Sequence, residues 1–245
     1  MKQSLLLLVL SFIFFQSGAQ EMGPSNNSFD SSLIKNEEFT LTWYMLQDTL
    51  RHEMGRVATK ILKNNNEITF ITNVKLSNAT EPWIDSTIVK TKDFSPVYHS
   101  SQNQNRNMAM QYGDSVTGIY LDKKTNQSIE LDENPIGSYF DSSSYPQLIR
   151  WLPLKEGYQE TLSIFDFNPN AKTGKLTVSI KNVIPVQIEL KKGSIKAWKV
   201  YVTDDISSNQ VKNYYFIEQN TRILIKHEIE IPGRKMVMER TDLLQ

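Results

Sequence analysis

The sequence predicts a mainly β protein, built as a large curved antiparallel sheet (a half-barrel or an open barrel) with one short helix packed on it. Two observations carry this prediction. Apolar and polar residues alternate along roughly twelve short segments, which is typical of strands with one buried face. By contrast, only one segment of the chain carries the start and stop signals of a helix.

The alternation is clearest at residues 175–181, where Leu176, Val178 and Ile180 fall on one face and polar residues fall on the other. Similar segments, bounded by Gly, Asn, Asp and Pro, are residues 39–46, 56–62, 68–76, 86–92, 108–112, 116–121, 128–131, 160–167, 186–190, 197–203, 212–217, 222–231 and 235–240. Their spacing alone is compatible with a meander, a barrel or a sandwich.

The predicted helix covers residues 144–152. Ser144 is expected to cap its start, Pro146 lies in its first turn, and Pro153 ends it. Three apolar side chains share one side of the helix and should pack on the sheet: Leu148, Ile149 and Leu152. The helix joins an N-terminal half (residues 38–132) to a C-terminal half (155–241), and the two halves are compatible with one continuous sheet.

The start of the chain predicts export. Residues 1–19 contain Lys2, an apolar run at residues 5–15 and a small-residue exit that ends at Ala19, which is the pattern of a signal peptide cleaved before Gln20. The run is about half the length needed to span a bilayer as a helix. We therefore expect a periplasmic or secreted protein. Residues 20–37 are polar and turn-rich and are predicted to be a disordered lead-in to a single β-rich domain at residues 38–245.

Composition excludes several classes of partner and chemistry. The chain has 27 Lys plus Arg, 27 Asp plus Glu and no Cys. Because the charges are balanced and interspersed, nucleic acid is not expected to bind. Without Cys there is no disulfide, no thiolate metal ligand and no cysteine for a lipid anchor. After residues 1–19 no stretch has transmembrane length, so the mature chain is expected to lack a transmembrane span.

No catalytic, metal or cofactor motif stands out. The three histidines are not at metal-ligand spacing, and no Gly-x-Ser-x-Gly, Ser-x-x-Lys or phosphate-binding loop is present. We therefore expect no cofactor, no metal and no enzymatic activity. His227 alternates with Ile223, Ile225, Ile229 and Ile231, which predicts a position on the buried face. A core histidine is the favoured interpretation there, ahead of a functional one.

Aromatic residues in or beside the predicted strands suggest a binding surface. Such residues are ordinarily explained by core packing and cross-strand pairs. The alternative is a concave apolar surface for a lipid or another amphipathic ligand, since a large curved sheet has more apolar face than one helix covers. On that hypothesis the ligand-binding residues are Trp151, Trp198, Tyr214, Phe216 and His227.

The segment YPQLIRWLPLKEG (145–157), followed by YYFIE (214–218) and TRILIK (221–226), resembles the domain of unknown function 3108 family of bacterial envelope proteins. The likeness covers about a hundred C-terminal residues, and the sequence departs from the family's turn at residues 188–194. The resemblance implies a curved sheet or half-barrel similar to lipoprotein carriers, and it brings no catalytic residues.

These patterns lead us to expect a non-catalytic periplasmic protein that binds a lipid-like or amphipathic envelope component. One alternative is an envelope assembly or scaffold protein that acts through a protein partner. A second is an envelope glycan or lipid hydrolase that uses dispersed carboxylates. An apolar cavity would favour the carrier, a filled core the scaffold, and an acidic cleft the hydrolase.

Overall fold

Fifteen strands form the framework of the protein in the computed structural model, which describes residues 20–244. They are β1 (Glu37–Gln47), β2 (Leu50–Lys63), β3 (Glu67–Leu76), β4 (Trp83–Lys90), β5 (Pro96–Gln102), β6 (Arg106–Tyr112), β7 (Val116–Asp122), β8 (Gln127–Glu133), β9 (Phe140–Asp141), β10 (Glu160–Asp166), β11 (Gly174–Glu189), β12 (Ser194–Asp204), β13 (Lys212–Glu218), β14 (Leu224–Ile231) and β15 (Arg234–Glu239). The predicted signal peptide, residues 1–19, lies outside the described residues.

All fifteen strands belong to one sheet, in the order β8-β7-β6-β5-β4-β3-β2-β1-β15-β14-β13-β12-β11-β10-β9. Neighbouring strands are antiparallel, except that β9 is parallel to β10. The two predicted halves are joined where β1 pairs with β15, from Thr42 opposite Glu239 to Leu46 opposite Lys235. The predicted fold class, a large curved antiparallel sheet with one short helix packed on it, is confirmed.

The sheet curves until its β9 edge reaches the inner face of β5. His99 of β5 and Asp141 of β9 lie 2.9 Å apart, although ten strands separate β5 from β9 in the sheet order. A second contact also joins the two ends of the sheet: Met108 and Met110 of β6 share an apolar cluster with Phe165 of β10. The two ends of the sheet therefore face each other across the interior.

The helix lies where it was predicted, but it is short and is not capped as expected. α1 covers Tyr145–Leu148, and a 3₁₀ turn over Ile149–Trp151 continues it. Ser144 already has helical backbone angles, so its hydroxyl does not reach the first free N–H groups. It donates instead to the carbonyl oxygen of Asp141. Leu148, Ile149 and Leu152 are fully buried, as a helix packed on the sheet requires.

The largest cluster of buried apolar side chains surrounds α1. Trp151 is buried at its centre, with ring centroids 6.2 Å from Phe70 and 6.1 Å from Phe94. Strands from both halves contribute to the same cluster, including Leu41 of β1 and Val200 of β12. This cluster thus joins both halves of the sheet, and the cluster that contains Met108 and Met110 is separate from it.

The lead-in is ordered, in contrast to the prediction of disorder for residues 20–37. Met22 is buried and pairs with β10, its N–H donating to the carbonyl oxygen of Thr161 and its carbonyl oxygen accepting from the N–H of Ser163. Ile34 is also buried in the main core. The physical reason is that two apolar anchors and the backbone hydrogen bonds hold a segment whose composition is otherwise polar.

Candidate ligand-binding cavity

The concave face of the sheet encloses a cavity of about 480 Å³ between the strands and the chain that leads into α1. Pockets of roughly 300–1,000 Å³ are the usual size for small-molecule ligands in proteins. Lining residues close to α1, such as Phe70 and Thr87, are buried, whereas Trp43, Trp83 and Arg106 are partly exposed. Pro146 and Gln147 of α1 also line the cavity and are partly exposed, so the cavity is partly open to solvent.

One side of the cavity is mainly apolar and is built by β1–β3 and β13–β15. Inward-facing residues recur at every second position of these strands, as the period of a strand requires. The apolar and aromatic side chains on this side are Phe39, Leu41, Trp43, Val57, Phe70, Val74, Tyr215, Leu224, Ile229 and Met238, and Thr59, Thr72 and His227 are the polar ones among them. The alternation that predicted the strands from the sequence is the same feature that makes this wall.

The other side of the cavity is polar and is built by β4–β6, the turn after β9 and the end of β10. Its lining residues include Asp85, Thr87, His99, Arg106, Ser142, Ser143 and Asp166. Burial of so many polar groups is unfavourable unless they find hydrogen-bond partners. These residues do find partners, in three separate groups. Thr87, His99 and Ser143 belong to a network centred on Asp141. Asp85 and Arg106 are joined through Trp83 and Ser101, and Ser142 donates to Asp166.

The Asp141 carboxylate accepts four hydrogen bonds at the junction of β5 and β9. One oxygen, Oδ2, lies 2.9 Å from His99 Nδ1 and 2.5 Å from the hydroxyl of Tyr112. The other, Oδ1, accepts from the hydroxyl and the N–H of Ser143. Because a carboxylate only accepts, His99 Nδ1 must carry the donated proton. Its ring is thereby fixed in orientation, and Nε2 is the nitrogen left for the cavity.

Electrostatics favours the charged form of this pair. Burial raises the pKa of Asp141, but the charge and hydrogen bond of His99 outweigh it and hold that pKa below its usual value. Burial lowers the pKa of His99, but the nearby Asp141 carboxylate outweighs it and raises that pKa. Asp166, which accepts a hydrogen bond from Ser142, has its pKa raised by burial.

Two nitrogen atoms of the cavity lining are buried without a hydrogen-bond partner among residues 20–244: Trp43 Nε1 and His99 Nε2. A third donor group, the Arg106 guanidinium, donates from Nε and Nη2 to a single acceptor, the hydroxyl oxygen of Ser101. Unpaired buried groups cost free energy, so an acceptor that reached these nitrogens would be favoured. Six other buried side-chain atoms of residues 20–244, away from the cavity, also lack a hydrogen-bond partner.

Of the five residues predicted to bind a ligand, the structure places only His227 on the cavity wall. Trp151 is in the main core, and Trp198 packs against that core from β12. Tyr214 and Phe216 lie on the opposite face of the sheet from the inward-facing Tyr215, where Lys199 stands over both rings. The prediction of one aromatic surface is therefore wrong for Tyr214 and Phe216.

His227 faces the cavity, with its ring stacked on Tyr215 at 4.2 Å between centroids and its Nε2 2.9 Å from Asn213 Oδ1. Burial lowers its pKa to about 3. The predicted face of four isoleucines is correct only in part. β14 begins at Leu224, and a bulge leaves Ile225 unpaired between Leu224 and Lys226, so Leu224 replaces Ile225 on the cavity face.

His99, Asp141 and Arg106 were not singled out from the sequence. Their shared signal is weak. In β5 the inward positions are polar, with His99 and Ser101 two residues apart, so the segment lacks the apolar alternation of a half-buried strand. Asp141 stands beside a run of serines that indicates only a loop. Their proximity depends on the curvature of the sheet, which no local pattern encodes.

Within residues 20–244, no group of three or more His, Cys, Asp or Glu side chains is arranged to hold a metal ion. None of the helices in that range is long and apolar enough to cross a membrane.

Fold and cavity together define a curved-sheet protein with an internal cavity. The chain belongs to the DUF3108 family, described as a protein of unknown function, whose model matches residues 38–239. Three solved chains are similar to it. One is a beta-barrel-like protein of domain of unknown function DUF1849 from Brucella abortus, with 9% identity, a TM-score of 0.48, and coverage of 85% of this chain and 95% of that one. No curated protein matches the chain.

Proposed function

We propose that this protein is a non-catalytic binding protein for a lipid-like or amphipathic component of the bacterial envelope, and that it acts in the periplasm or after secretion. The cavity is the observation that carries the proposal. It is partly open to solvent, mainly apolar along β1–β3 and β13–β15, and mainly polar along β4–β6. A ligand with an apolar chain and a polar head matches both sides, whereas a wholly polar or wholly apolar ligand matches one.

The proposed location, in the periplasm or outside the cell, is supported by the sequence. Residues 1–19 have the pattern of a cleaved signal peptide, and a chain without Cys has no cysteine-linked lipid anchor. A binding protein of this kind would exchange its ligand with membranes through transient contact.

Ligand binding is tested by blocking the cavity. Protein stripped of bound lipid would be titrated with a fluorescent fatty acid, and Ile229→Trp would be compared with Ile184→Trp. Ile229 lines the cavity, while Ile184 is 41% exposed on β11. We expect saturable binding by wild type and by Ile184→Trp. Binding by Ile229→Trp should be about tenfold weaker, which corresponds to about 1.4 kcal/mol of lost binding free energy.

The alternatives predict other results. A scaffold would recover an envelope protein from solubilised membranes without co-purified lipid, and both tryptophan variants would then behave as wild type. A hydrolase would release product from a glycan or lipid substrate. If no fatty acid of any chain length tested binds saturably, the proposed function as a lipid-binding carrier is refuted.

A further inference from the structure

The unpaired polar atoms of the cavity wall are donors, and this restricts the head group that the cavity takes. His99 Nε2 and Trp43 Nε1 are buried without a partner, and within the described range the only unpaired buried side-chain atoms on the wall are these two nitrogens. An indole N–H can only donate. A ligand that completes this wall must therefore offer acceptor atoms.

His99 is held ready to donate. Its side chain is buried at 5% exposure, and Nδ1 is committed to Asp141, whose carboxylate is itself fixed by Tyr112 and Ser143. The Asp141 carboxylate stabilises the imidazolium form, in which Nε2 carries a proton directed away from Asp141. An acceptor in the cavity would receive that proton as a charge-assisted hydrogen bond.

Arg106 supplies a cation on the same face. Among residues 20–244 its guanidinium forms no ion pair with a carboxylate; it donates to Ser101 and lies over the Trp83 ring at 5.8 Å from the centroid. Ser101 and His99 are two residues apart on β5, and both side chains face inward, so about 7 Å separates their Cα atoms. Arg106 and His99 therefore stand side by side, with spare donors that suit the two or more oxygens of an oxyanion.

The other titratable groups that face His99 are either already hydrogen-bonded or neutral, so they do not prevent an anion from binding there. Asp141 is already bound by four donors, and Asp85 accepts a hydrogen bond from Trp83 Nε1. Burial favours the neutral form of Asp166, and Tyr112 is held as a neutral donor to Asp141. Among these charged groups the uncommitted donors are thus on His99 and Arg106, and Trp43 Nε1 is a further unpaired donor of a lining residue.

We propose that the cavity binds a single-chain amphiphile whose head is an oxyanion, a carboxylate or a phosphate, held by His99 Nε2–H and the Arg106 guanidinium, with its chain along Phe39, Leu41 and Ile229. This inference rests on the proposed function, because it specifies the ligand of the same cavity.

Calorimetric titration with four probes of equal chain length tests it: dodecanoate, dodecyl phosphate, dodecanol and dodecyltrimethylammonium. At pH 6 both oxyanions are expected to bind at least tenfold more tightly than dodecanol and the cation. The tighter of the two anions identifies the head as carboxylate or phosphate. Between pH 6 and pH 9 dodecanoate stays ionised, so its affinity should fall as His99 loses its proton.

Variants separate this inference from the proposed function. Arg106→Gln and His99→Gln should each lose most of the oxyanion preference and keep dodecanol binding, and His99→Gln should also lose the pH dependence. Arg106→Gln is the second variant because it leaves Asp141 and its partners in place. Arg234→Gln, at an exposed arginine on β15, changes the net charge equally and should bind as wild type does.

Three results would overturn the inference. Equal affinity for dodecanol and the oxyanions would refute the head-group assignment and leave the carrier intact. An oxyanion preference that survives in both variants would refute the role of these two residues. If no probe binds at all, the proposed function fails together with the inference.

Discussion

The three histidines show how the immediate surroundings set the chemistry of one residue type. His52 is exposed on β2, His99 is buried beside a carboxylate, and His227 is partly exposed and stacked on an aromatic ring. Burial alone lowers the pKa of a histidine, and a neighbouring carboxylate reverses the shift. The pKa of His99 is therefore raised while that of His227 is lowered.

Replacing His227 by Phe is expected to make the protein less sensitive to acid. The pKa of His227 is about 3 in the folded state and near 6.5 in the unfolded chain, so protonation favours unfolding as the pH falls from about 6.5 towards 3. At one pKa unit per ~1.4 kcal/mol, the stability lost between pH 7 and pH 5 should be about 2 kcal/mol smaller in the variant.

Urea denaturation at the two pH values measures this difference. His52→Phe is the matched control, since His52 is exposed and should give the same acid sensitivity as wild type. If His227→Phe loses as much stability on acidification as wild type does, the neutral state of His227 is wrong.

Asp141→Asn is expected to lower the free energy of unfolding by about 3–5 kcal/mol, because it leaves a buried histidine without its counter-charge. Asp141 has a lowered pKa, so its contribution is lost as the pH falls through that pKa. His99 has a raised pKa, so its contribution is lost as the pH rises through it. The loss should therefore be largest in the mildly acidic window between the two.

A double-mutant cycle with His99→Gln measures the coupling by chemical denaturation. The double variant should lose less stability than the sum of the losses in the two single variants, because it keeps neither side chain of the pair and so leaves none without its partner. Additive losses across that pH window would show that the two side chains do not stabilise each other.

At the level of single elements, the alternation of apolar and polar residues predicts well where a strand lies. It predicts poorly which side chains of that strand face inward. Tyr214, Tyr215 and Phe216 are consecutive aromatics, so period two cannot tell which of them points inward, and only Tyr215 does. The bulge at Ile225 then changes which residues at the start of β14 face the cavity. β5 was missed because its inward residues, His99 and Ser101, are polar. The sequence thus predicts apolar walls but not a polar one.

The position of α1 depends on one buried cation as well as on apolar packing. Arg150 donates to Glu37 of β1 at 2.5 Å, to the carbonyl oxygen of Arg222 at 2.8 Å and to Gln147 at 2.8 Å. Because a guanidinium presents its donors in a rigid fork, it can satisfy three acceptors that point from different elements. Arg150 therefore ties the helical segment to both halves of the sheet.

Arg150→Lys is consequently expected to be destabilising although the charge is kept. A lysine cannot reach the three acceptors at once, so buried acceptors lose their partners at a cost of about 2 kcal/mol or more. Arg56→Lys is the matched control, because Arg56 and Glu53 form an exposed pair whose worth is below about 1 kcal/mol. Thermal denaturation should show a clear fall in Tm for the first variant alone, and equal Tm values would contradict the role of Arg150.

At the level of the whole molecule, the sheet is completed by elements that local patterns do not reveal. β9 has two residues, and it reaches β5 only because the ten strands between them accumulate the curvature. The lead-in behaves similarly, since its composition predicts disorder while Met22 adds a backbone pairing to β10. Fold class was predictable from the sequence because it follows from many repeated local signals, and closure was not.

If the lead-in is part of the folded molecule, truncating its buried side chains must cost stability. Ile34 is 3% exposed in the main core, so Ile34→Ala should lower the free energy of unfolding by about 2–4 kcal/mol through lost burial and a residual cavity. Ile136→Ala is the matched control, because Ile136 is 90% exposed and should change stability by less than about 0.5 kcal/mol. Urea denaturation of both variants measures these changes. An Ile34→Ala variant as stable as its control would instead support the prediction that the lead-in is disordered.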